Sequence, residues 1–196
     1  MANQQNNNLK NVYFTASITG KKDFLENYLQ IVGHLQKRNM KVLSDHILKS
    51  EHSQVIKETR KERLEFQSQL EKWINSADFV VAETSFPSIS VGYEISLAIQ
   101  KDKPVLILYR SETPPTLLQD HIQEKVACEQ YDSSENLKMI IDDFINFVRG
   151  TNDSRFTFFI TSEISTYLKK VSIKERVPKS VYLRQLIEKD MIEKGS

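Results

Sequence analysis

The run Pro104–Tyr109 (PVLILY) is continuously apolar after its proline. Such a run is typical of a strand buried on both faces, because a strand with one face in water alternates apolar and polar residues. Other short β-rich runs occur along the chain, and the segments between them place apolar residues at helical spacing. Strands that alternate with helices predict parallel βαβ units. We therefore expect an α/β protein with a doubly wound, five-stranded parallel sheet of the flavodoxin or Rossmann type.

The boundaries of the elements follow from the same patterns. The predicted strands are Asn11–Ala16, Met40–Ser44, Asp78–Ala82, Pro104–Tyr109 and Val126–Tyr131. The predicted helices are Asp23–Arg38, Glu51–Ser76, Val91–Lys101, Thr116–Gln123 and Ser133–Arg149. If the strand order is 2-1-3-4-5, it reverses between strands one and three. Ligands bind outside the carboxyl ends of the strands at such a reversal.

The alternation stops near residue 150, which divides the chain. Residues 1–10 are rich in Asn and Gln and are predicted to be a disordered lead-in, residues 11–149 form the main domain, and 150–154 form a linker. Residues 155–196 contain a predicted strand, Arg155–Thr161, and two helices, Ser162–Arg176 and Lys179–Glu193. One strand and two helices cannot bury their own apolar faces, so this appendage is expected to pair with a second copy or dock on the main domain.

Composition narrows the classes of protein. A net charge of +1 over 196 residues argues against a strongly basic nucleic-acid binder over the whole chain. The single cysteine, Cys128, excludes a disulfide scaffold, and a cytoplasmic location is expected. No apolar run approaches the roughly 18 residues of a membrane span, and no signal-peptide core is present, so no membrane partner is expected. The histidines are scattered, and we predict no metal and no cofactor.

The stretch Ala77–Glu94 (ADFVVAETSFPSISVGYE) reads as a buried strand, a serine-rich loop and the start of a helix. This loop and the earlier loop Ser17–Lys22 are rich in hydroxyls, which together with helix N-terminal amides suit a phosphate or a sugar. Lys21 and Lys22 either add positive charge there or are solvated. Neither loop has a Gly-x-Gly-x-x-Gly or Walker pattern, which argues against a dinucleotide or a triphosphate.

Glu94 is the candidate catalytic carboxylate. If the helix opens at Val91, Glu94 lies in its first turn, where the helix dipole favours the ionised form that a nucleophile requires. The alternative is that Glu94 only complements the dipole. Glu83 is either a second pocket carboxylate or a structural residue at the strand end.

Four segments carry a resemblance to a known family: Val12–Gly20, Asp45–His46, Trp73–Glu83 and Pro87–Glu94. In order and spacing they resemble the nucleoside 2-deoxyribosyltransferase superfamily, and most closely its 2'-deoxynucleoside 5'-phosphate N-hydrolase branch. The resemblance covers about Val12 to Tyr109. It implies a flavodoxin-like fold, usually dimeric, that cleaves the base–sugar bond of a nucleoside or nucleoside 5'-monophosphate without a metal, as a hydrolase or a deoxyribosyltransferase.

The resemblance also implies roles for individual residues. Glu94 would attack the anomeric carbon, Tyr13 would help to orient it, and Ser17 and Ser88 would hold the 5'-phosphate. His46 is either a pocket wall or a surface loop histidine. The further residues assigned to substrate or phosphate binding are Ile18, Thr19, Gly20, His46, Ser90 and Gly92. Family dimers often complete the pocket from a neighbour, and residues around Thr116–His121 are the candidates for that contribution.

The chain departs from the family pattern at the helix before the motif. Leu70 stands where the hydrolases usually carry an aspartate for acid/base work, and Ala16, Thr19 and Ser90 replace family residues in the two loops. Loss of a proton-transfer partner typically costs roughly 10²–10⁴-fold in rate. The sequence therefore leaves three readings open: a slow enzyme, an enzyme that uses another residue, or a nucleotide sensor coupled to the C-terminal appendage.

The appendage has a resemblance of its own. A strand, a helix and a second helix that opens at Pro178–Ser180 resemble a ribbon–helix–helix unit, in which two copies pair their strands and read the DNA major groove. Two alternatives remain open: a DNA-binding unit, or a dimerisation or docking unit that does not touch DNA.

Overall fold

The computed structural model describes residues 9–50, 59–111, 115, 125–149, 160–175 and 179–194. By its internal contacts the chain divides into two compact units, Met1–Ser154 and Arg155–Ser196.

The first unit is built on a parallel sheet of five strands in the order β2-β1-β3-β4-β5. The strands are β1 Asn11–Ala16, β2 Lys41–Leu43, β3 Phe79–Glu83, β4 Val105–Tyr109 and β5 Val126–Gln130. The predicted fold class and strand order are confirmed. Every residue of β3 and β4 is buried, which explains the continuous apolar sequence of β4 and of β3 up to Ala82.

Helices cover both faces of this sheet. They are α1 Lys21–Lys37, α2 Asp45–Leu48, α3 Arg60–Ser76, α4 Ile89–Gln100 and α5 Ser134–Val148. Helices α1 and α5 pack in one apolar cluster with Phe14 and Val81, whereas α3 and α4 pack in another with Tyr13 and Val80. Adjacent strand residues thus belong to opposite faces, as the period of two in a strand requires.

Capping decides where several helices begin. Thr59 forms a capping box with Glu62, so the described part of the long charged helix starts at Arg60, and residues 51–58 of the predicted helix lie outside the described residues. Ser88 accepts a hydrogen bond from the amide of Val91, so α4 begins at Ile89 rather than at Val91. The short helix α2 was not predicted, and Glu83 belongs to β3 rather than to the loop after it.

The second unit contains α6 Ser162–Glu175 and α7 Lys179–Lys194. Leu168 is buried, and the hydroxyls of Tyr167 and Tyr182 lie 3.3 Å apart, which joins the two helices. Most of the predicted strand Arg155–Thr161, and the predicted helix Thr116–Gln123, lie outside the described residues. Among the helices that are described, none is long and apolar enough to cross a membrane.

Candidate active site

Three side chains that are distant in sequence meet on the α3/α4 face of the sheet. The hydroxyl of Tyr13, on β1, donates a hydrogen bond to Oε2 of Glu94, on α4, over 3.0 Å. The same hydroxyl lies 2.8 Å from Nε2 of His46, on α2. Because one strand and two helices each contribute one side chain, the group forms only when β1, α2 and α4 take their places in the fold.

Glu94 is almost buried, with 5% of its surface exposed. Burial raises the pKa of its carboxyl group, and the neighbouring hydroxyls of Thr15 and Tyr13 only partly oppose that effect. Since α4 begins at Ile89, Glu94 lies in the second turn of the helix. The predicted helix start at Val91, which would place Glu94 in the first turn, is therefore wrong, and burial is the largest effect on the pKa of the Glu94 carboxyl group.

Thr15 adds a second hydroxyl beside the carboxylate. It lies two residues after Tyr13 on β1, on the same face of the strand. Its Oγ1 atom is buried and makes no hydrogen bond of regular geometry among the described residues, yet it lies close enough to lower the pKa of Glu94. The period of the strand was the signal that could have identified this residue from the sequence.

Aromatic rings form a wall beside the carboxylate. The ring of His46 is stacked on Tyr13, with centroids 5.0 Å apart, and on Trp73, with centroids 5.1 Å apart. Phe66 meets Trp73 edge to face at 6.1 Å, and 38% of its surface is exposed. Burial lowers the pKa of His46 to about 4, so its ring is neutral at physiological pH. The structure places His46 in this wall rather than on a free surface loop.

Phe66 and Trp73 were not assigned to the site from the sequence. They lie seven residues apart, which places them on one side of α3 two turns apart. That spacing was the signal available for Phe66. A planar, partly exposed aromatic surface next to a carboxylate can stack a nucleobase.

The two hydroxyl-rich loops are in direct contact through Gly20. A Cβ atom at Gly20 would lie 2.6 Å from Cβ of Phe86, so only glycine allows the β1–α1 loop to approach the β3–α4 loop this closely. The Oγ atom of Ser17 accepts a hydrogen bond from the amide of Gly20 over 3.2 Å. The α1 N-terminus carries no side-chain cap, and the amides of Lys21 and Asp23 donate to the carbonyl oxygens of Ile18 and Gly20 within the loop.

The remaining predicted binding residues differ in exposure. Ser17 and Gly20 are buried, Ile18 is half-buried and Thr19 is exposed. Ser90 is exposed in the first turn of α4, and Gly92 is half-buried with open space around its Cα. Ser88 is the N-cap of α4, where its Oγ accepts from the amide of Val91 over 3.4 Å.

The two lysines next to the first loop, Lys21 and Lys22, make contacts with the protein itself. The ammonium group of Lys21 donates to the carbonyl oxygens of Leu48 and Ser50, both over 2.9 Å, and so fastens the end of α2, the helix that carries His46. Lys22 lies 4.0 Å from Asp23 at the surface. Neither lysine supplies a phosphate contact by these geometries.

Leu70 is buried, with 3% of its surface exposed, in the apolar cluster that also contains Tyr13, Val91 and Ile95. The position of the family aspartate is therefore filled by an aliphatic side chain that packs beneath the site. Glu94 has no acidic partner there.

Glu83 lies on the opposite face of the sheet from Glu94. It is fully buried, and its Oε1 accepts hydrogen bonds from the hydroxyl and amide of Ser85 and, over 3.1 Å, from the hydroxyl of Tyr131. Oε2 has no hydrogen-bond partner among the described residues, and burial raises the pKa of the carboxyl group. Glu83 therefore holds the loop after β3 in place from the α1/α5 face, and it does not pair with Glu94.

No group of three potential metal ligands occurs in the described part of the chain.

The chain is similar in sequence to several known proteins. The chain is 36% identical over 102 residues to 5-hydroxymethyl-dUMP N-hydrolase of Rattus norvegicus, which covers 52% of this chain and 62% of that protein. It is 31% identical over 144 residues to a protein of Syntrophotalea carbinolica with the provisional name 2'-deoxynucleoside 5'-phosphate N-hydrolase 1, covering 67% and 92% of the two chains. Among solved structures, a CMP N-glycosidase of Clostridium botulinum covers 68% of this chain and 99% of its own, at 18% identity and a TM-score of 0.49.

The chain spans less than two thirds of the length of the rat relative and of the corresponding mouse protein, of which 58% is covered. No family model matches the chain.

Proposed function

Since the chain belongs to the family of 2'-deoxynucleoside 5'-phosphate N-hydrolases, we propose that it cleaves the N-glycosidic bond between base and sugar in a nucleoside 5'-monophosphate. The observation that supports the proposal best is the buried carboxylate of Glu94, held by the Tyr13 hydroxyl beside an aromatic wall. A carboxylate in such a place can stabilise or trap the oxocarbenium-like sugar that forms as the base departs.

In the proposed reaction, Glu94 attacks the anomeric carbon while the bond from that carbon to the base nitrogen breaks. The base leaves with the bonding electron pair and takes up a proton. Water then hydrolyses the glycosyl ester and restores the carboxylate, or a second base replaces water in a transfer. Tyr13 donates to Oε2, so we assign the attack to Oε1.

The rest of the site has a proposed division of labour. The rings of His46, Trp73 and Phe66 stack the base. The 5'-phosphate binds at the loop before α1, which carries the hydroxyl of Ser17 and the residues Ile18, Thr19 and Gly20. Ser88, Ser90 and Gly92, at the start of α4, complete the sugar and phosphate contacts. Helix N-terminal amides and hydroxyls bind anions without a lysine or arginine.

Chromatography of a nucleoside and nucleotide panel tests this function. We expect free base from at least one nucleoside 5'-monophosphate with the parent protein and none with Glu94→Gln. Glu65→Gln is a matched control, because Glu65 is exposed on the neighbouring helix, and it should keep full activity. Base release that is equal in the parent and Glu94→Gln would rule out Glu94 as the nucleophile.

A second candidate function, a nucleotide sensor, is favoured by Leu70. The family resemblance implies an aspartate at this position, and the apolar side chain of Leu70 leaves Glu94 without that acidic partner. The expected rate of proton transfer is lower for that reason. The same nucleotide panel separates the two functions. Ligand-induced thermal stabilisation without base release would favour a sensor, whereas base release establishes an enzyme.

The oligomer is also proposed as part of this function. Ile89 is 95% exposed and Tyr93 48% exposed on α4, and Leu64 is 57% exposed on α3. The amide of Gln67 lies 3.5 Å from the Tyr93 hydroxyl, so the exposed sides of the two helices adjoin. Apolar side chains this exposed favour an interface. We assign this surface to a homodimer contact, through which residues around Thr116–His121 of a second copy could reach the pocket.

We assign residues 11–149 to the catalytic domain, 150–154 to a linker and 155–196 to a ribbon–helix–helix-like unit. Exposed apolar residues on α6 and α7, such as Tyr167, Ile187 and Ile192, suit dimerisation. A DNA contact is tested by mobility shift at low salt, in which the full chain is compared with a chain ending at Gly150. Equal mobility shifts would remove DNA as a partner.

A further inference from the structure

The Tyr13 hydroxyl has one proton and two neighbours that can each accept it. Nε2 of His46 lies 2.8 Å from the hydroxyl oxygen and Oε2 of Glu94 lies 3.0 Å from it. An ionised carboxylate can only accept hydrogen bonds, whereas a neutral imidazole donates from one ring nitrogen and accepts at the other. The direction of the Tyr13 proton therefore depends on which nitrogen of His46 carries hydrogen.

When any proton on Glu94 is carried by Oε2, the oxygen that faces Tyr13, two arrangements satisfy all three groups. In the first, the Nε2–H of His46 donates to the Tyr13 oxygen and the Tyr13 hydroxyl donates to ionised Glu94. In the second, the hydrogen of His46 is on Nδ1, the Tyr13 hydroxyl donates to Nε2, and Glu94 is protonated and donates to the Tyr13 oxygen. Mixed arrangements place two acceptors or two donors against each other in a buried site, which is costly.

We infer that the tautomer of His46 sets the ionisation of Glu94: the Nε2–H form aims the Tyr13 proton at Glu94 and keeps that carboxylate ready to attack. This inference rests on the proposed role of Glu94. His46 is then a positioning residue that acts through Tyr13.

The proton balance of the switch is simple. The proton of Glu94 moves to the Tyr13 oxygen, the former Tyr13 proton moves to Nε2 of His46, and Nδ1 releases its own proton to water. No bond to carbon changes, and the net result is one proton transferred from Glu94 to solvent.

The surroundings of the three groups favour a tautomeric switch over protonation of His46. The ring is held between Tyr13 and Trp73 by stacking, which fixes its plane, and its low pKa keeps it neutral. Among the described residues, Tyr13 is the titratable group in contact with Glu94, His46 contacts Tyr13, and Asp45 lies beside His46. From α3 the residues packed in this cluster are apolar, and β3 contributes Val80 and Ala82.

Nuclear magnetic resonance tests the inference directly. We would label histidine with ¹⁵N and the glutamate carboxyl carbons with ¹³C, and assign the signals with His46→Gln and Glu94→Gln. At a pH where Glu94 is ionised, His46 should carry its hydrogen on Nε2. As the pH falls, the Nδ1–H form should grow with the same midpoint as protonation of Glu94. In Tyr13→Phe that coupling should vanish.

Kinetics give a second measurement with a matched pair of variants. His46→Phe keeps an aromatic ring but cannot hydrogen-bond, whereas His46→Gln places an amide that can both donate and accept. We expect kcat to fall by about tenfold in His46→Phe, the effect of one hydrogen bond to a charged network, with KM changed much less. In His46→Gln we expect kcat to recover while KM rises, because the ring that stacks the base is lost.

A hydrogen on Nδ1 while Glu94 is ionised would overturn the inference, and so would an unchanged tautomer across the titration of Glu94. Equal loss of kcat in His46→Phe and His46→Gln would do the same. If the parent protein releases no base from any nucleotide, the proposed function fails, but the resonance measurement still decides the coupling between His46 and Glu94.

Discussion

Replacement of Gly20 by alanine should separate the two loops that form the proposed phosphate site. The added Cβ would lie 2.6 Å from Cβ and 2.8 Å from Cγ of Phe86, and 2.9 Å from the Tyr28 hydroxyl oxygen. The backbone of Gly20, at φ −72° and ψ −10°, suits any residue. The effect is therefore steric only, and no backbone strain contributes to it.

The size of the effect follows from these distances. An ordinary contact between the new Cβ and Cβ of Phe86 needs about 3.4 Å, so the two atoms must move apart by about 0.8 Å. Because the position of a Cβ atom is fixed by the backbone, the backbone of Phe86 must move with it. Overpacking of this kind typically destabilises a protein by about 1–3 kcal/mol. A displacement approaching 1 Å in a positioning loop can cost up to about 10²-fold in activity, so we expect KM for a nucleoside 5'-monophosphate to rise by at least about tenfold.

Gly33 provides the matched control in the same helix. Nothing lies within 4 Å of a Cβ atom added there, and alanine in a helix interior is more stable than glycine by roughly 1 kcal/mol. Gly33→Ala should therefore be stabilised with unchanged KM. Urea denaturation and steady-state kinetics of base release measure both quantities. If Gly20→Ala were as stable as Gly33→Ala and bound substrate normally, the proposed packing of the two loops would be refuted.

Further predictions concern buried titratable groups and the exposed face of α4. The folded-state pKa of His46, about 4, lies below the unfolded value of 6.5, so its contribution is present above pH 6.5 and is lost as the pH falls toward 4. This contribution to the free energy of unfolding amounts to at most about 3 kcal/mol. Chemical denaturation across this pH range should show that His46→Phe loses less stability on acidification than the parent protein. Glu83 has a raised folded-state pKa, so it favours folding at low pH and loses that advantage as the pH rises through the folded pKa. The stability of Glu83→Gln relative to the parent should consequently increase with pH, and a pH-independent difference would contradict this. Ile89→Asp should shift a dimer toward monomer in sedimentation equilibrium, while the exposed control Glu65→Gln should not.

Local patterns in the sequence were sufficient for the architecture. The apolar runs of β3 and β4 predict strands covered on both faces, and the alternation with helices predicts parallel crossovers, because both signals depend only on neighbouring residues. The order 2-1-3-4-5, which the sequence left as a condition, is the order that the structure shows. Glu94 could be singled out because it follows a strand, a serine-rich loop and a helix start.

The tertiary structure alone decided the chemistry of the site. Tyr13 meets His46 and Glu94 across 33 and 81 residues, a contact that no local pattern specifies. A single capping hydrogen bond at Ser88 moved the helix start to Ile89 and placed Glu94 in the second turn. Burial by packed neighbours raises the pKa of the Glu94 carboxyl group.

The same distinction applies to the two carboxylates near the end of β3. Glu83 is the last residue of the buried strand and Glu94 follows it along the chain, yet the pleat directs Glu83 to the α1/α5 face, where Ser85 and Tyr131 hold it. The sequence determines which functional groups are present in the chain and on which helix, strand or loop each one lies. Which groups become neighbours, and how much water remains around them, is set by packing, and it is packing that sets the ionisation of Glu94 and His46.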